Sequence, residues 1–168
     1  MISPKNKQAE MARFQEGPAR LEEVVKRLTD ADLDAPPAAG GWTIRQIVHH
    51  VVDGDDLWKL CIKMALGIEQ PEFPLAWYWE MPQVSWGERW AYSRRSLDVS
   101  LALLKANRAH ILQLLESVPE AWERAAVLRK KDGEMEQVPV GFVIQMQADH
   151  LLHHLKRIQE ILTERKRT

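Results

Sequence analysis

The sequence has very little cysteine, no excess of charge of either sign and no long hydrophobic run. Cys61 is the single cysteine among 168 residues, which excludes an intramolecular disulfide and a cysteine-based zinc cluster. The 23 lysines and arginines balance 24 aspartates and glutamates, so the charge gives no indication of a nucleic-acid partner. No apolar stretch approaches the roughly 18 residues of a membrane span. These absences predict a cytoplasmic protein that does not enter the membrane.

The composition is that of a folded domain. The chain is 45% hydrophobic and 28% charged, and its length suits one domain with a substantial core. We therefore expect a single domain over residues 1–168.

Helical patterns dominate the first third of the chain. A first helical stretch begins at Ser3-Pro4, a typical N-cap followed by proline. It continues to Leu28, with an interruption at Gly17-Pro18 that is compatible with two helices or with one kinked helix. Residues 29–41 contain paired prolines and paired glycines and are predicted to form a loop.

The second helix has a clear start signal. Thr43 and Gln46 form the T-x-x-Q pattern of a capping box. This pattern predicts a helix over residues 44–66, which Gly67 ends. Residues 68–87 contain three prolines and three tryptophans, and they are predicted to be a long crossover.

Apolar spacing predicts a third helix over residues 88–118. The Asp132-Gly133 pair favours a small hairpin between residues 126 and 138. Pro139 then opens a last helix that runs to about Arg165. Together these segments predict an all-α four-helix bundle, with a long crossover between the second and third helices and at most a minor hairpin.

Five of the six histidines fall in two clusters, His49-His50 and His150, His153 and His154. At about 100° per residue, His150 and His154 lie on the apolar face of the last helix and His153 lies at its edge. His50 lies on the flank of the apolar face of the second helix. His49 points the opposite way, so we expect it to face solvent or a partner.

The inward histidines predict a metal site. A single buried histidine usually bonds to a backbone carbonyl, but two imidazoles one turn apart can share one ion. His50 can reach the same point from a neighbouring helix of the bundle. The pattern therefore predicts that His50, His150 and His154 bind a divalent metal, with zinc as the first choice and nickel, manganese or iron as alternatives.

Other polar residues are candidates for catalysis. Arg108 falls on the apolar face of the third helix, which fits either a side chain that snorkels to the bundle end or a grip on an anionic substrate. Asp53 and Asp149 are close in sequence to the predicted ligands, and each can orient an imidazole or simply face solvent. Cys61 is predicted to be buried and inert. The tryptophans of residues 77–90 can cover a pocket or merely pack the crossover.

Two segments carry a resemblance to a known family. GWTIRQIVHHVVD, residues 41–53, resembles the GWT-R-VV-HH-AD segment of the DinB/YfiT-like superfamily, and HLLHHLKRI, residues 150–158, resembles its closing helix. The resemblance implies an up-down-down-up four-helix bundle and frequent homodimers. It also implies a zinc or nickel ion held by three histidines, which correspond by position to His50, His150 and His154.

The resemblance also implies an activity. Members of the superfamily include thiol-dependent S-transferases, a mycothiol-dependent isomerase and proteins called metal-dependent hydrolases. The sequence departs from the family in two places: relatives often carry a histidine shortly after the aspartate of the second helix, where this chain reads Asp53-Gly54-Asp55-Asp56, and another histidine where this chain has Arg108. We expect a transferase that joins a low-molecular-weight thiol to a small electrophile. A metal-dependent hydrolase and a non-catalytic bundle that binds a metal or a small ligand are the alternatives.

Overall fold

The computed structural model describes residues 4–130 and 132–165, so the N-cap predicted at Ser3 lies outside the described residues. Within these ranges the helices are α1 (Pro4–Val25), α2 (Asp30–Asp34), α3 (Ile44–Gly67), α4 (Gln83–Arg89), α5 (Leu97–Ser117) and α6 (Val140–Arg165). The strands are β1 (Glu72–Phe73), β2 (Ala125–Arg129) and β3 (Met135–Pro139). Among the described helices, none is long and apolar enough to cross a membrane.

The long helices α1, α3, α5 and α6 form the bundle, and α3 runs parallel to α5. Near their starts, His49 of α3 bonds to Ser100 of α5. Further along both helices, Asp55 of α3 pairs with Arg108 of α5. Because the second contact lies further along both helices than the first, the two helices point in the same direction. The long crossover between them makes this parallel arrangement possible.

The other long helices complete the topology. Arg13 of α1 pairs with Asp149 of α6, and Asp32, which follows α1, pairs with Arg165 at the end of α6. Helices α1 and α6 are therefore parallel to each other. His50 of α3 faces the His154 ring, and Gly54, one turn later on α3, lies beside His150, one turn earlier on α6. Helix α6 therefore runs antiparallel to α3, and the bundle is up-down-down-up, as the resemblance implies.

A polar layer divides the core of the bundle. One apolar cluster, around Phe14, Ile62 and Ile144, fills the end that carries the strands. A second cluster, around Leu104 and Ile158, fills the other end. Between them lie the buried polar side chains Asp55, Arg108 and Gln147 and the inward histidines.

The structure decides between the two alternatives for the first helical stretch and corrects two other predicted segments. Residues 4–25 form one helix that passes through Pro18. The predicted loop over residues 29–41 contains α2, which a capping box between Thr29 and Asp32 starts. The third long helix begins at Leu97 and not at residue 88, because Ala91 has a left-handed backbone with φ 54° and Ser96 supplies an N-cap.

The predicted hairpin is present and is part of a slightly larger sheet. Strands β2 and β3 are antiparallel, and Gly133 in their turn has φ 88°, a conformation that suits glycine. Strand β1 of the crossover adds to the sheet parallel to β2, with Glu72 opposite Val127. This two-residue strand was not predicted, and it ties the crossover to the end of the bundle.

Candidate metal centre

Three histidines converge at one point of the polar layer. His50 comes from the early part of α3, while His150 and His154 lie one turn apart on α6. The Nε2 atom of His150 is 3.1 Å from the Nε2 atom of His50 and 3.1 Å from that of His154. In the described part of the chain, these three form the one group of His, Cys, Asp or Glu side chains close enough to share an ion.

The geometry fits a single divalent ion. Zinc–nitrogen bonds of about 2.0–2.1 Å at tetrahedral angles place the nitrogens about 3.3 Å apart, close to the observed separations. The three rings meet edge to face, with interplanar angles of 76°, 77° and 88°. This lets each ring direct its Nε2 atom at a common point without stacking on another. Three imidazole nitrogens are a donor set that suits zinc, nickel or iron.

Burial keeps the three imidazoles neutral. It lowers the pKa of His50 and of His154 to about 3, and the neighbouring imidazoles add to the effect. Burial and the Arg108 charge lower the pKa of His150 to about 4. A neutral imidazole has the free lone pair that a metal requires, so the site is ready to bind a cation at neutral pH.

These pKa values predict that the metal-free protein loses stability in mild acid. Between about pH 6.5 and 4 the unfolded chain takes up protons that the folded triad does not, because the folded pKa values are depressed. Above about pH 7 the imidazoles are neutral in both the folded and the unfolded chain, so the free energy of unfolding has its full value there. It falls by about 1.4 kcal/mol per pH unit for each imidazole that stays neutral in the fold. Urea unfolding with a chelator at pH 8, 7, 6 and 5 measures the slope.

A triple His→Gln variant at positions 50, 150 and 154 is the control for this slope. It should show a much flatter dependence between pH 7 and pH 5. Equal slopes in both proteins would mean that these imidazoles do not govern the acid sensitivity.

Packing around the three convergent imidazoles limits how their rings can turn. The Trp42 ring lies 4.6 Å from the His50 ring, centre to centre. Gly54 leaves room for the His150 ring, since a Cβ added there would be 3.6 Å from its Cε1 atom. The buried Nδ1 atom of His154 has no hydrogen-bond partner among the described residues. Aromatic packing thus contributes to the orientation of His50, and no hydrogen bond from the described residues orients His154 through its Nδ1 atom.

The structure separates the two histidine clusters. His153 is exposed and lies outside the convergent group. His49 is also outside it, but the expectation that it faces solvent or a partner is wrong, because it is 0% exposed. Its ring is 2.9 Å from the Ser100 hydroxyl and 3.1 Å from the Arg95 carbonyl oxygen. Helix α5 covers this side of α3, so both faces of α3 are buried at this level.

Arg108 neither snorkels to the bundle end nor faces a substrate pocket. Its side chain is 1% exposed and donates two hydrogen bonds to the Asp55 carboxylate, at 2.6 and 3.1 Å. It also donates to the backbone oxygens of Phe14 and Gln147. The guanidinium thus connects α1, α3, α5 and α6, and we correct its interpretation from a substrate grip to a structural anchor.

The candidate aspartates do not touch the triad. Asp53 accepts a hydrogen bond from Arg95 at 3.0 Å, and the half-exposed Asp149 pairs with Arg13. Neither orients a ligand imidazole in this structure. Cys61 is buried as predicted, and burial raises the pKa of its thiol to about 12, so it stays protonated and unreactive.

A cavity of about 240 Å³ opens beside the triad, and His50 and His150 form part of its wall. Its other walls are mainly apolar or aromatic: Leu57, Trp58, Leu75, Tyr78, Trp79 and Met146. We therefore call it the aromatic cavity. The crossover contributes Tyr78 and Trp79 directly, while Trp86 and Trp90 pack behind Tyr78. The interpretation of the tryptophans as a pocket cover is thus correct for Trp79, and the others pack the crossover.

Sequence reasoning missed two polar residues of this cavity. Gln147 is buried one turn before His150, and its Oε1 atom has no hydrogen-bond partner within the described chain. Gln83, at the start of α4, lies on the rim. A glutamine on the apolar face of the last helix is the signal that could have identified Gln147. No comparable signal marks Gln83, because its place depends on how the crossover folds.

The fold and the site define a class of protein, an up-down-down-up helical bundle with a three-histidine candidate metal centre. The chain belongs to the DinB superfamily, whose sequence model matches residues 13–158. The superfamily assignment drawn from residues 41–53 and 150–158 is thereby confirmed.

The relatives of the chain agree with this assignment. A Bacillus pumilus protein with the provisional name metal-dependent hydrolase is 30% identical over 148 residues, which are 86% of this chain and 78% of that protein. YfiT of Bacillus subtilis, with the same provisional name, is 26% identical over 160 residues, 95% of this chain and 86% of its own.

Solved structures show the same fold. The YfiT structure, whose four-helix bundle topology is described as unusual, matches with a TM-score of 0.85 at 26% identity over 99% of this chain and 91% of that one. A mycothiol-dependent maleylpyruvate isomerase matches with a TM-score of 0.65 at 16% identity. That match covers 92% of this chain and 62% of the isomerase chain, and it shows a shared fold.

Proposed function

We propose that this protein is a metal-dependent enzyme that joins a low-molecular-weight thiol to a small electrophile. The observation that carries the proposal is the convergence of three neutral imidazoles at the wall of an aromatic cavity, where the Nε2 atom of His150 lies 3.1 Å from that of His50 and 3.1 Å from that of His154. His50, His150 and His154 would hold the ion. The names of the relatives support metal dependence, and the isomerase with the same fold supports a thiol as a reactant.

Three protein ligands are typical of catalytic metal sites, because they leave a coordination position open. An ion held there would stabilise the ionised form of a thiol at neutral pH. In the transfer, the thiol loses its proton to solvent and its sulfur forms a bond to an electrophilic carbon. The bond from that carbon to the leaving group breaks, and the leaving group departs with the electron pair.

The chain's own side chains provide the rest of the environment. The aromatic cavity offers apolar contacts to a small substrate. Gln147 places an amide beside His150, where it can orient a polar group of the substrate. The triad has no carboxylate within its cluster of ligand atoms in the described chain. This favours thiol transfer over hydrolysis, because a thiol that is already ionised needs no general base whereas attack by water commonly uses one.

The test compares thiol transfer with hydrolysis. Protein loaded with zinc, nickel or manganese is incubated with cysteine and 1-chloro-2,4-dinitrobenzene, and separately with 4-nitrophenyl acetate. We expect the metal-loaded protein to accelerate formation of the thioether, which mass spectrometry identifies. His150→Ala should abolish this acceleration, whereas His110→Ala, on the exposed face of α5, should retain it.

Each other outcome selects an alternative. Hydrolysis of the ester without thiol transfer, lost in His150→Ala, would make the protein a hydrolase. Neither reaction across a broad panel of thiols, electrophiles and esters would favour a non-catalytic bundle that binds a metal or a ligand. The identity of the ion stays a prediction, which elemental analysis of the purified protein tests. The homodimer also stays a prediction, which sedimentation equilibrium tests.

A further inference from the structure

A second cavity reaches the triad from His154. It has a volume of about 500 Å³, and its walls include Trp42, whose ring packs on His50, and the exposed side chain of Val84. Gln83 lines both this cavity and the aromatic cavity. The triad and Gln83 therefore lie between two cavities, and each cavity contacts at least one histidine of the triad.

The two cavities differ in charge. The residues that line the aromatic cavity include no Lys, Arg, Asp or Glu. The second cavity contains Arg157 and the His153 ring, and its lining residues include no carboxylate. Gly40 and Gly41 form another wall, and a Cβ added at either would meet nothing within 4 Å. The second cavity, which we call the arginine cavity, is thus wide and suited to an anion.

Arg157 is placed to bind that anion. It follows His154 by three residues on α6, so both side chains lie on the same side of the helix. Its guanidinium pairs with Glu160 at 3.3 Å and with Glu164 at 3.9 Å, and all three side chains are accessible to solvent. Exposed pairs of this kind contribute at most about 1 kcal/mol. A ligand carboxylate that binds Arg157 through two hydrogen bonds, as a bidentate pair, can therefore replace the two glutamates.

We infer that the arginine cavity binds the thiol reactant, with Arg157 holding a carboxylate of that thiol and its sulfur at the triad. The aromatic cavity then receives the uncharged electrophile. This assignment rests on the proposed function. It explains why the triad borders two cavities. A transfer between two substrates needs a binding site for each reactant, whereas hydrolysis needs a site for one organic substrate and for water.

The experiment measures thiol binding directly. The probes are 3-mercaptopropionate, which carries a carboxylate, and 2-mercaptoethanol, which does not. Isothermal titration gives their Kd values for the zinc-loaded protein, for Arg157→Gln and for Lys156→Gln. The last variant removes an exposed positive charge next to Arg157 on the same helix and is the matched control.

We expect Arg157→Gln to weaken 3-mercaptopropionate binding about tenfold, the usual scale for one charged hydrogen-bonded contact. The Kd of 2-mercaptoethanol should stay within about twofold, as should both Kd values in Lys156→Gln. Zinc content and circular dichroism of each variant confirm that the fold and the triad are intact.

The outcomes separate this inference from the proposed function. If both thiols bind in a zinc-dependent manner and Arg157→Gln changes neither, the inference is wrong and the proposed function stands. An equal loss for both thiols in Arg157→Gln would also overturn it, because the carboxylate would then play no part. If neither thiol binds the zinc-loaded native protein, the proposed thiol chemistry is overturned as well.

Discussion

Replacing His154 with alanine is expected to lower zinc affinity by about 100-fold or more. Structural sites bind zinc with on the order of 10 kcal/mol, so the loss of one of three protein ligands removes roughly a third of that free energy. Because His154 brings one of the convergent Nε2 atoms, water has to replace it. Competition with a chromogenic chelator measures the affinity, and elemental analysis of the dialysed protein gives the zinc content.

The neighbouring residue provides the control for His154. His153→Ala removes an exposed imidazole from the same helix, and it should keep a full equivalent of zinc. If His154→Ala retained zinc with unchanged affinity, the triad would not be the metal site. Loss of zinc from both variants together would instead indicate a general effect on α6, which thermal unfolding of the two metal-free proteins would reveal.

Arg108→Met is expected to lower the free energy of unfolding by about 3–5 kcal/mol, the cost of leaving a buried charge without its partner. Asp55 would lose both hydrogen bonds to the guanidinium. Burial already raises the pKa of its carboxyl, so without the guanidinium it would take up a proton. The backbone oxygens of Phe14 and Gln147 would also lose a donor. Urea unfolding measures the difference.

Two further variants test the origin of this effect. The double variant Arg108→Met with Asp55→Leu should recover much of the loss, because it replaces the whole ion pair with apolar groups. Arg129→Gln breaks an exposed pair with Glu72 and should cost less than about 1 kcal/mol. An Arg108→Met protein as stable as Arg129→Gln would show that the buried pair does not secure the bundle.

The sequence was sufficient for features that depend on local contacts. The capping box of Thr43 and Gln46 lies within one turn, and α3 starts where it predicts. The facing of His50, His150 and His154 follows from helical periodicity and a single apolar face. The Asp132-Gly133 turn likewise depends on adjacent residues, so the hairpin could be predicted.

Features that depend on packing between distant segments could not be predicted from the sequence. A helical wheel assigns the side opposite the apolar face to solvent, but α5 covers that side of α3 and buries His49. Three carboxylates lie close together on α3, at positions 53, 55 and 56, and any of them could be a partner of Arg108 as far as the sequence shows. The packing of the bundle places Asp55 against it. The two-residue strand β1 is too short to show a pattern. The place of Gln83 between two cavities follows from the crossover, whose path the prolines do not specify.

The distance along the chain between the three convergent histidines has a consequence for how the protein is made. His50 and His150 are 100 positions apart, and the third ligand also lies on the final helix. During synthesis from the N-terminus, the emerging chain offers no more than one of the three imidazoles until α6 has left the ribosome. Closing so long a loop is slow relative to helix formation. If these imidazoles bind the ion as we propose, binding can be completed only after α6 has been made and packed against α3.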